Sequence, residues 1–309
     1  MQVQAAPGEG IEYEHKNGIA SITTDNVTIS VNAQGNIPVV HYTLESGLTY
    51  NVMLKQLIEY QDLNEDGAFQ YNESLPGVPI FTLTSAKWLF SGFETDEVAD
   101  VVTAIHFNFT LEQMMGLLYQ DLDITIAFHL YMDDVDIGGY DLVGGTELKF
   151  DLYISGWAWE EVDSLLAIRF DITPAEGSQI RNQHNQPIDA TINTTNNEMK
   201  LQNKAEMKQK FEIEQEGNKA YFAYANQSRI KNQYESQYRY SEVNGSCSTS
   251  GEGTLQLFLS FEHFDELIYD PSLGTDDSGI TETSIAWVSA IVLPILAIAV
   301  LKIAYKKKK

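Results

Sequence analysis

Apolar residues recur at every second position along much of this chain. The alternation is clearest in residues 122–132, 147–154, 166–172 and 254–261, where polar side chains occupy the positions between the apolar ones. Side chains of a β-strand point alternately to opposite faces, so this period predicts strands that are buried on one face. A parallel sheet would need continuous apolar strands separated by amphipathic helices, which the sequence lacks. We therefore predict an all-β fold, an antiparallel β-sandwich or jelly roll.

Three segments have weaker patterns. Met199–Ile213 alternates with a period of two, although its Lys, Glu and Met residues favour a helix. We interpret it as a strand, because its apolar residues lie on one face of an extended chain. Short helices are predicted at Leu111–Leu118 and Glu160–Leu165.

Residues 174–187 are polar and aperiodic, which is typical of a linker or a long loop. The sequence allows one large β domain or two smaller ones. We predict a β-sandwich domain at residues 11–175. Residues 188–266 are predicted to form a second β domain or to continue the same sandwich.

The longest apolar run, residues 285–301, is followed closely by a lysine cluster at the C-terminus. A helix of this length spans about 25 Å, close to the hydrocarbon thickness of a bilayer. Trp287 and Tyr305 lie near its ends, where aromatic rings favour the membrane interface. Because lysines are retained on the cytoplasmic side, we predict a transmembrane helix at 285–305 and a basic cytoplasmic tail at 306–309.

This orientation places the rest of the chain outside the cell membrane. Such a topology normally needs a signal peptide, and residues 1–10 have no apolar segment of that kind. We interpret residues 1–10 as a residual N-terminal segment whose signal peptide is absent or trimmed. Residues 267–284 are acidic and aperiodic, and are predicted to form a stalk above the membrane. The alternative is a tail-anchored protein whose domain lies in the cytoplasm.

The composition limits the partners of the predicted domain. The chain has a formal charge of −25, and five of its 19 Lys and Arg residues follow Leu301. A domain with this much negative charge repels nucleic acid and anionic lipid and attracts cations. Nucleic acid is therefore not an expected partner. The single cysteine, Cys247, lies in a polar stretch and is interpreted as a loop residue without an internal disulfide.

Asn-X-Ser/Thr sequons are more frequent than chance predicts by about twofold. Around Asn108 the apolar residues alternate with those of the sequon, so this amide is expected to face solvent. Glycosylation of a surface protein would explain the pattern, and so would the ordinary abundance of Asn and Thr on exposed strand faces. The candidate glycosylation sites are Asn26, Asn72, Asn108, Asn193, Asn226 and Asn244.

Residues 62–73 have the spacing of a calcium-binding loop. Oxygen ligands on alternate residues of a tight loop can converge on one hard cation, and Gly67 stands at position six, where the chain must turn sharply. Phe69 fills the apolar eighth position. The predicted Ca²⁺ ligands, in loop order, are Asp62, Asn64, Asp66, the carbonyl of Ala68, Gln70 and Glu73.

This segment resembles the calcium loops of the EF-hand and dockerin type. The resemblance covers about fourteen residues and does not extend to the fold, because the preceding segment is strand-like and Pro76 prevents an exiting helix. The resemblance implies Ca²⁺ in a loop between strands, and an acidic turn without an ion is the alternative. An affinity of about 10⁻⁴ to 10⁻³ M would fill such a site outside cells and leave it empty in a cytosol.

Catalytic motifs are absent from the sequence. There is no Gly-x-Ser-x-Gly segment, phosphate loop or HExxH segment. His41, His106 and His129 lie on polar strand faces and could meet across a sheet, although exposed histidines usually have no such role. A second acidic cluster at 133–141 is interpreted as a solvated turn. Trp157 and Trp159 are expected to pack in the core or at an edge, with a sugar-stacking platform as the alternative.

The sequence thus predicts a membrane-anchored, glycosylated, calcium-binding surface protein with a structural, adhesive or recognition role. Its organisation resembles that of single-pass surface proteins of archaea. Expected partners are the membrane, through the C-terminal helix, and glycans or other surface proteins. The alternative is a carbohydrate-binding or glycoside-hydrolysing jelly-roll protein, whose two carboxylates would lie on one concave face. No enzymatic activity is predicted.

Overall fold

The computed structural model describes residues 3–5, 11–32, 38–83, 86–112, 119, 121–137, 140–175, 179–182, 208–233, 235–249 and 253–275. A 3₁₀ turn lies at Tyr71–Glu73. The strands are β1 (Val3–Ala5), β2 (Glu12–Lys16), β3 (Ile19–Thr23), β4 (Val27–Asn32), β5 (Val39–Leu44), β6 (Thr49–Tyr60), β7 (Phe81–Thr82), β8 (Trp88–Phe90), β9 (Glu94–Val98), β10 (Val101–Leu111), β11 (Asp123–Tyr131), β12 (Val135–Ile137), β13 (Tyr140–Leu142), β14 (Leu148–Ser155), β15 (Leu165–Pro174), β16 (Gln179–Asn182), β17 (Lys208–Gln215), β18 (Asn218–Ala225), β19 (Gln227–Lys231), β20 (Arg239–Glu242), β21 (Asn244–Thr249), β22 (Leu255–Phe261), β23 (Glu266–Tyr269) and β24 (Ser272–Thr275).

The strands form two large antiparallel sheets and one small hairpin. Sheet A has the order β1-β2-β3-β4-β5-β6-β15-β22-β21, with β7 also paired to β6. Sheet B has the order β16-β17-β18-β24-β14-β11-β10-β8, with β9 on β10, and with β23 on β14 followed by β19 and β20. The hairpin is β12–β13. The all-β, antiparallel prediction is confirmed.

The two sheets pack face to face around one hydrophobic core. Two tyrosines of sheet A cross it: the Tyr42 hydroxyl donates to the Thr146 carbonyl at 2.6 Å, and the Tyr50 hydroxyl donates to the Tyr221 carbonyl at 2.9 Å. Aromatic side chains supply much of the core volume, and the phenolic groups within it need such partners because an unpaired buried hydroxyl is costly. The largest fully buried side chains are Tyr42, Tyr50, Tyr60, Tyr221, Tyr224, Tyr269, Phe69, Phe109, Phe128, Phe170, Phe211 and Phe222.

The period of two correctly predicts which face of the strands is buried. In β11 and β14, buried and partly exposed residues alternate along the described lengths. Strands β1 to β6 of sheet A follow one another as neighbours in a meander.

The C-terminal strands complete both sheets. β22 pairs with β15 in sheet A, whereas β24 pairs with β14 in sheet B. Residues 208–275 therefore share their sheets and core with residues 11–175. The predicted start of the stalk at residue 267 is wrong, because β23 and β24 are hydrogen-bonded strands.

Of the three segments with weak patterns, the described residues support the predicted strand and contradict one of the predicted helices. β17 covers the last part of Met199–Ile213 and is a strand, while residues 199–207 lie outside the described part. The helix predicted at Glu160–Leu165 is wrong, since residues 160–163 form a bend and a turn and Leu165 starts β15. Of Leu111–Leu118, Leu111 ends β10, Glu112 has no regular structure and residues 113–118 lie outside the described part.

The predicted anchor at 285–305, the tail at 306–309 and most of residues 1–10 also lie outside the described residues. Within the residues that the structure does describe, no helix has the length and apolar character to span a bilayer.

Sheet A carries a second, smaller hydrophobic cluster on its other face. Ile58, Ala167 and Phe258 are each next in sequence to a residue of the main core, so their side chains point away from it. They are nevertheless buried, because Phe69 from the connection after β6 covers them together with Tyr60. This cover brings residues 62–73 against the outer face of the sheet.

Candidate metal centre

The loop at residues 62–73 follows the end of β6, includes the 3₁₀ turn and is attached to sheet A through Phe69. The Phe69 side chain is 1% exposed and contacts the rings of Tyr60 and Phe258. Its N–H donates to Ser260 Oγ at 3.2 Å, and its carbonyl accepts from Ser246 Oγ at 2.7 Å. The apolar eighth position of the predicted loop is therefore its anchor on β21 and β22.

The backbone turns sharply where the sequence predicts it. Glu65 and Gly67 have φ angles of 57° and 73°, in the left-handed region that favours glycine. A Cβ at position 67 would lie 2.3 Å from Asn244 Nδ2, so any larger residue would displace this side chain of β21. The Gly67 carbonyl accepts a hydrogen bond from the Tyr60 hydroxyl at 3.1 Å.

The side-chain oxygens of the first three predicted ligands face the interior of the loop, where they accept backbone N–H groups. Asp62 accepts from Asp66 at 3.1 Å and from Gly67 at 2.7 Å. Asn64 Oδ1 also accepts from Asp66, at 3.0 Å. Asp66 accepts from Ala68 at 2.9 Å and from the Gln70 side-chain amide at 3.3 Å. These contacts gather the three side chains around one short turn of backbone.

Glu73, the predicted twelfth ligand, closes the loop. It is 3% exposed, and its two carboxylate oxygens accept from the N–H groups of Leu63 at 3.3 Å and Gln70 at 3.0 Å. Burial raises the pKa of Glu73, the Gln70 N–H partly offsets this, and the charges of Asp62 and Asp66 raise it further. The carboxylates at positions one, five and twelve are thus close enough to repel one another.

The donor set suits a hard cation, although the side chains are not arranged around one. Within the described residues, no group of three or more His, Cys, Asp or Glu side chains is placed to hold a metal ion. The loop's carboxylates are engaged with backbone N–H groups instead. A calcium site here would also use the Asn64 oxygen, the Ala68 carbonyl and Gln70, which at the ninth position often binds through water.

A cleft of about 830 Å³ opens between this loop and the strands β20 to β22. Its lining includes Asp62 and Asp66 of the loop, together with Glu242 and Glu262. Tyr240, which is 69% exposed, also lines the cleft. A hydrogen bond from Arg239 lowers the pKa of Glu262 despite its partial burial, so this carboxyl group is ionised at neutral pH.

Sequence analysis missed Glu59, which positions the chain just before the loop. This carboxylate is 3% exposed and accepts hydrogen bonds from Trp157 Nε1 at 3.2 Å and Ser164 Oγ at 2.5 Å. It also accepts the backbone N–H groups of Glu160 and Glu161. No local signal identifies it, because all of its partners lie about a hundred residues away in sequence.

The predicted glycosylation sites differ in accessibility. Asn26 and Asn72 are exposed, whereas Asn108 and Asn226 are half-buried on or beside their strands. Asn244 lies at the start of β21 with its amide nitrogen against Gly67, so the atom that would carry a glycan faces the loop at residues 62–73. Asn193 lies outside the described residues.

The remaining sequence candidates fall into different environments. Trp157 is buried, so the two tryptophans form no exposed stacking platform. The prediction that Trp157 packs in the core is confirmed. Cys247 is also buried, within β21, and its assignment to a loop is wrong. Within the acidic segment at 133–141, residues 135–137 of β12 pair with β13. Just before β12, Asp134 accepts the Gly144 N–H at 2.9 Å.

The three histidines do not all meet. His106 on β10 and His129 on β11 are register partners, and their Nδ1 atoms lie 2.7 Å apart. His41 on β5 contacts Asn51 instead. A period of two places these residues on strand faces, but it does not tell which strands are neighbours.

No protein-family model and no curated protein sequence matches this chain.

Proposed function

We propose that this chain is a calcium-binding surface protein, attached to the membrane by its C-terminal segment, with a structural, adhesive or recognition role. The observation that carries the proposal is the folded loop at 62–73. Its tight turn at Gly67 and its inward-facing oxygens on Asp62, Asn64 and Asp66 fit the loop that the sequence predicts.

Bound calcium would offset the electrostatic repulsion between the carboxylates of the loop. Glu73 is buried beside two other carboxylates, and both its burial and their charges disfavour its ionised form. A divalent ion among these groups replaces repulsion with attraction, and it would take oxygen ligands from Asn64 and the Ala68 carbonyl as well. Ligand binding to the folded state alone stabilises that state by mass action.

The expected consequence is a stiffer edge of sheet A. Phe69 joins the loop to β21 and β22 through its ring and both of its backbone polar groups. An ion bound by residues on both sides of Phe69 would therefore hold the loop on the sheet surface. This supports a role in which external calcium orders one end of the domain.

The decisive experiment combines Asp62→Ala with Asp66→Ala. Calcium at millimolar concentration should raise the melting temperature of the wild-type chain, because a site with a Kd of about 10⁻⁴ to 10⁻³ M is then largely filled. The double variant should lose this rise. Differential scanning calorimetry with and without a chelator measures both.

The matched control is Asp133→Ala with Asp134→Ala, which removes the same charge from the other acidic turn. This control should keep the calcium-dependent rise even if its melting temperature is lower overall. If the Asp62/Asp66 variant still responds to calcium like the wild type, the loop is not the site.

The membrane attachment rests on the apolar run at 285–301 and the lysines after it. A transmembrane helix at 285–305 would place the acidic domain outside and the C-terminus in the cytoplasm. The exposed Asn26 and Asn72 are then the sequons best placed for glycosylation. Removal of residues 285–309 should release folded protein from the membrane fraction, and persistent sedimentation with membranes would contradict the anchor.

Carbohydrate binding is the second candidate function, and the cleft beside the loop favours it. An exposed aromatic ring, Tyr240, lies among carboxylates that can accept hydrogen bonds from sugar hydroxyls. Glycoside hydrolysis is less well supported, because a general acid needs a raised pKa and that of Glu262 is lowered. Binding to immobilised glycans that Tyr240→Ala abolishes would establish this candidate.

A further inference from the structure

A lysine and two aspartates come together on the face of sheet B opposite the main core. Lys149 and Asp151 lie on β14, and Asp270 lies in the short connection between β23 and β24, which both pair with β14. The Phe150 N–H donates to the Pro271 carbonyl at 3.0 Å and holds this connection against β14. The exposed fractions of the three charged side chains are 12%, 13% and 27%, so the cluster is largely buried.

The Lys149 amine is close to both carboxyl groups. It contacts Asp151 Oδ1 directly, and its Nζ atom lies 3.7 Å from Asp270 Oδ1. The side chains of Asp151 and Asp270 are also within hydrogen-bonding reach of each other. The three groups are therefore placed both to exchange protons and to react with one another.

The two carboxyl groups differ in their surroundings. Asp151 Oδ2 accepts a hydrogen bond from the Tyr153 hydroxyl at 3.2 Å. Burial raises the pKa of Asp151, but its contacts with His129 and Lys149 lower it by more, to well below the usual range. Asp270 Oδ1 is buried and accepts no hydrogen bond, and burial together with the charge of Asp151 raises the pKa of Asp270. Asp151 is thus the ionised group of the pair, and Asp270 is the one that more readily holds a proton.

An amine, a protonated carboxyl group and a carboxylate base are the components of amide formation. A carboxylate beside an amine can remove its proton, and the free amine is then a nucleophile. We propose that Lys149 Nζ and the Asp270 carboxyl group condense to an isopeptide bond, with Asp151 as the catalytic carboxylate. This modification depends neither on the proposed calcium site nor on the proposed membrane attachment.

The reaction balances within the three side chains and one released water molecule. Asp151 takes a proton from the Lys149 ammonium group, and the nitrogen lone pair attacks Cγ of protonated Asp270. The bond from Cγ to the hydroxyl oxygen breaks, and its electron pair leaves with that oxygen. The departing hydroxyl group takes a second proton from the nitrogen and leaves as water. The new amide keeps one proton, and Asp151 holds one that it can release to solvent.

Deprotonation of Lys149 is the demanding step. Burial lowers the pKa of Lys149, but Asp151 and Asp270 raise it by more, so the free amine is the minor form. Fixed proximity offsets this cost, since groups held in reacting geometry behave as though their concentration were about 10⁵–10⁸ M. The flexible lysine side chain needs to move little to bring Nζ within the reacting distance of about 3–3.5 Å. The bond needs to form only once in each molecule.

The cross-link would join β14 to the last strands that the structure describes. With a single cysteine, the chain cannot form an internal disulfide, and an isopeptide bond would restrict the unfolded chain in a comparable way. The chain continues from β24 toward the C-terminus. If the C-terminal segment is attached to a membrane as proposed, the bond would carry tension that otherwise acts on the hydrogen bonds of β24.

The test is intact-mass spectrometry of the denatured full-length chain. We expect the wild type to be lighter than its sequence requires by one water molecule. Lys149→Arg, which keeps the positive charge beside Asp151, should have the full mass, and so should Asp270→Ala and Asp151→Ala. Protease digestion and tandem mass spectrometry of the wild type should find a peptide containing Lys149 joined to one containing Asp270.

The matched control is Lys231→Arg, because Lys231 also pairs with a carboxylate of sheet B, Glu266, at 2.8 Å but in a more exposed place. This control should keep the loss of water. Circular dichroism establishes that each variant is folded. A folded wild type with the full sequence mass overturns the proposal, whatever the variants show. So does a loss of water that survives Lys149→Arg, or one that joins Lys149 to Asp151 within a single peptide.

Discussion

The loop at residues 62–73 and a histidine row on sheet B, formed by Asp96, His106, His129 and Asp151, both lie on outer faces of the sheets. The two features are assembled in opposite ways. The predicted ligands of the loop, residues 62–73, are contiguous in sequence, and their hydrogen bonds join residues two to ten positions apart. The row instead joins strands β9, β10, β11 and β14 through register pairs such as His106 with His129 and His129 with Lys149.

This difference teaches which sites a sequence can disclose. A loop of fixed spacing carries its own geometry, so the residues that converge are known as soon as the spacing is recognised. A row across a sheet exists only through strand pairing, and a shift of one residue in register would move every side chain to the other face. The two sites should therefore respond differently to substitutions, beginning with the largest expected effects.

Phe69→Ala should cause the largest loss of stability, because it tests whether the loop depends on the sheet. Truncation of a buried phenylalanine costs about 3–5 kcal/mol in the free energy of unfolding. The control Leu63→Ala changes a loop side chain that is 66% exposed and should cost less than about 0.5 kcal/mol. Urea unfolding measures both. Equal effects would show that the loop is self-contained.

Asp151→Asn should be next, because it breaks the row at its buried end. Lys149 loses its nearest carboxylate and keeps only Asp270 at 3.7 Å. Because its buried charge is then incompletely paired, we expect the free energy of unfolding to fall by about 3 kcal/mol. The exposed Asp123→Asn on β11 is the control with the same chemical change. A loss below about 1 kcal/mol would indicate that solvent replaces Asp151.

Gly67→Ala should destabilise the chain by about 2 kcal/mol, since it combines a left-handed φ with a close approach to Asn244. Gly47→Ala separates these two causes, because Gly47 has a φ of 92° and no heavy atom within 4 Å of an added Cβ. Its cost should be about 1 kcal/mol. Thermal unfolding of both variants decides whether contact with β21 contributes to the loop.

Glu262→Gln should have the smallest effect, at most about 1 kcal/mol, because its ion pair with Arg239 is partly exposed. The pKa of Glu262 is lowered by the hydrogen bond from Arg239, so its contribution is fully present above the unfolded value of about 4.3 and is lost as pH falls through the lowered folded-state pKa. Urea unfolding should show a smaller difference from the wild type at pH 3 than at pH 7.

The sequence correctly predicts much of the fold. The alternating residues of β11 and β14 predict both their strand conformation and their buried faces. The alternation with a period of two also places Phe258 on the polar face of its strand. It does not show that Phe69 covers that face and buries Phe258. The sequence places Cys247 in a loop for a related reason, because its neighbours are polar. Only its pairing with β22 shows that it lies in a strand.

The residues in and around the candidate site also differ in whether the sequence can identify them. Asp62, Asn64, Asp66 and Glu73 are recognisable from spacing alone, and their calcium ligation stays a prediction. Glu59, by contrast, has a defined role only because Trp157 and Ser164 reach it from distant parts of the chain.

By itself, the sequence determined which segments are extended, which of their faces are apolar, and where the chain makes its tight acidic turn, because these properties depend on neighbouring residues. The tertiary structure decided which strands lie side by side, that the loop covers an apolar patch on sheet A, and that two histidines meet. Those properties depend on register and on burial against distant residues, and a period of two specifies neither.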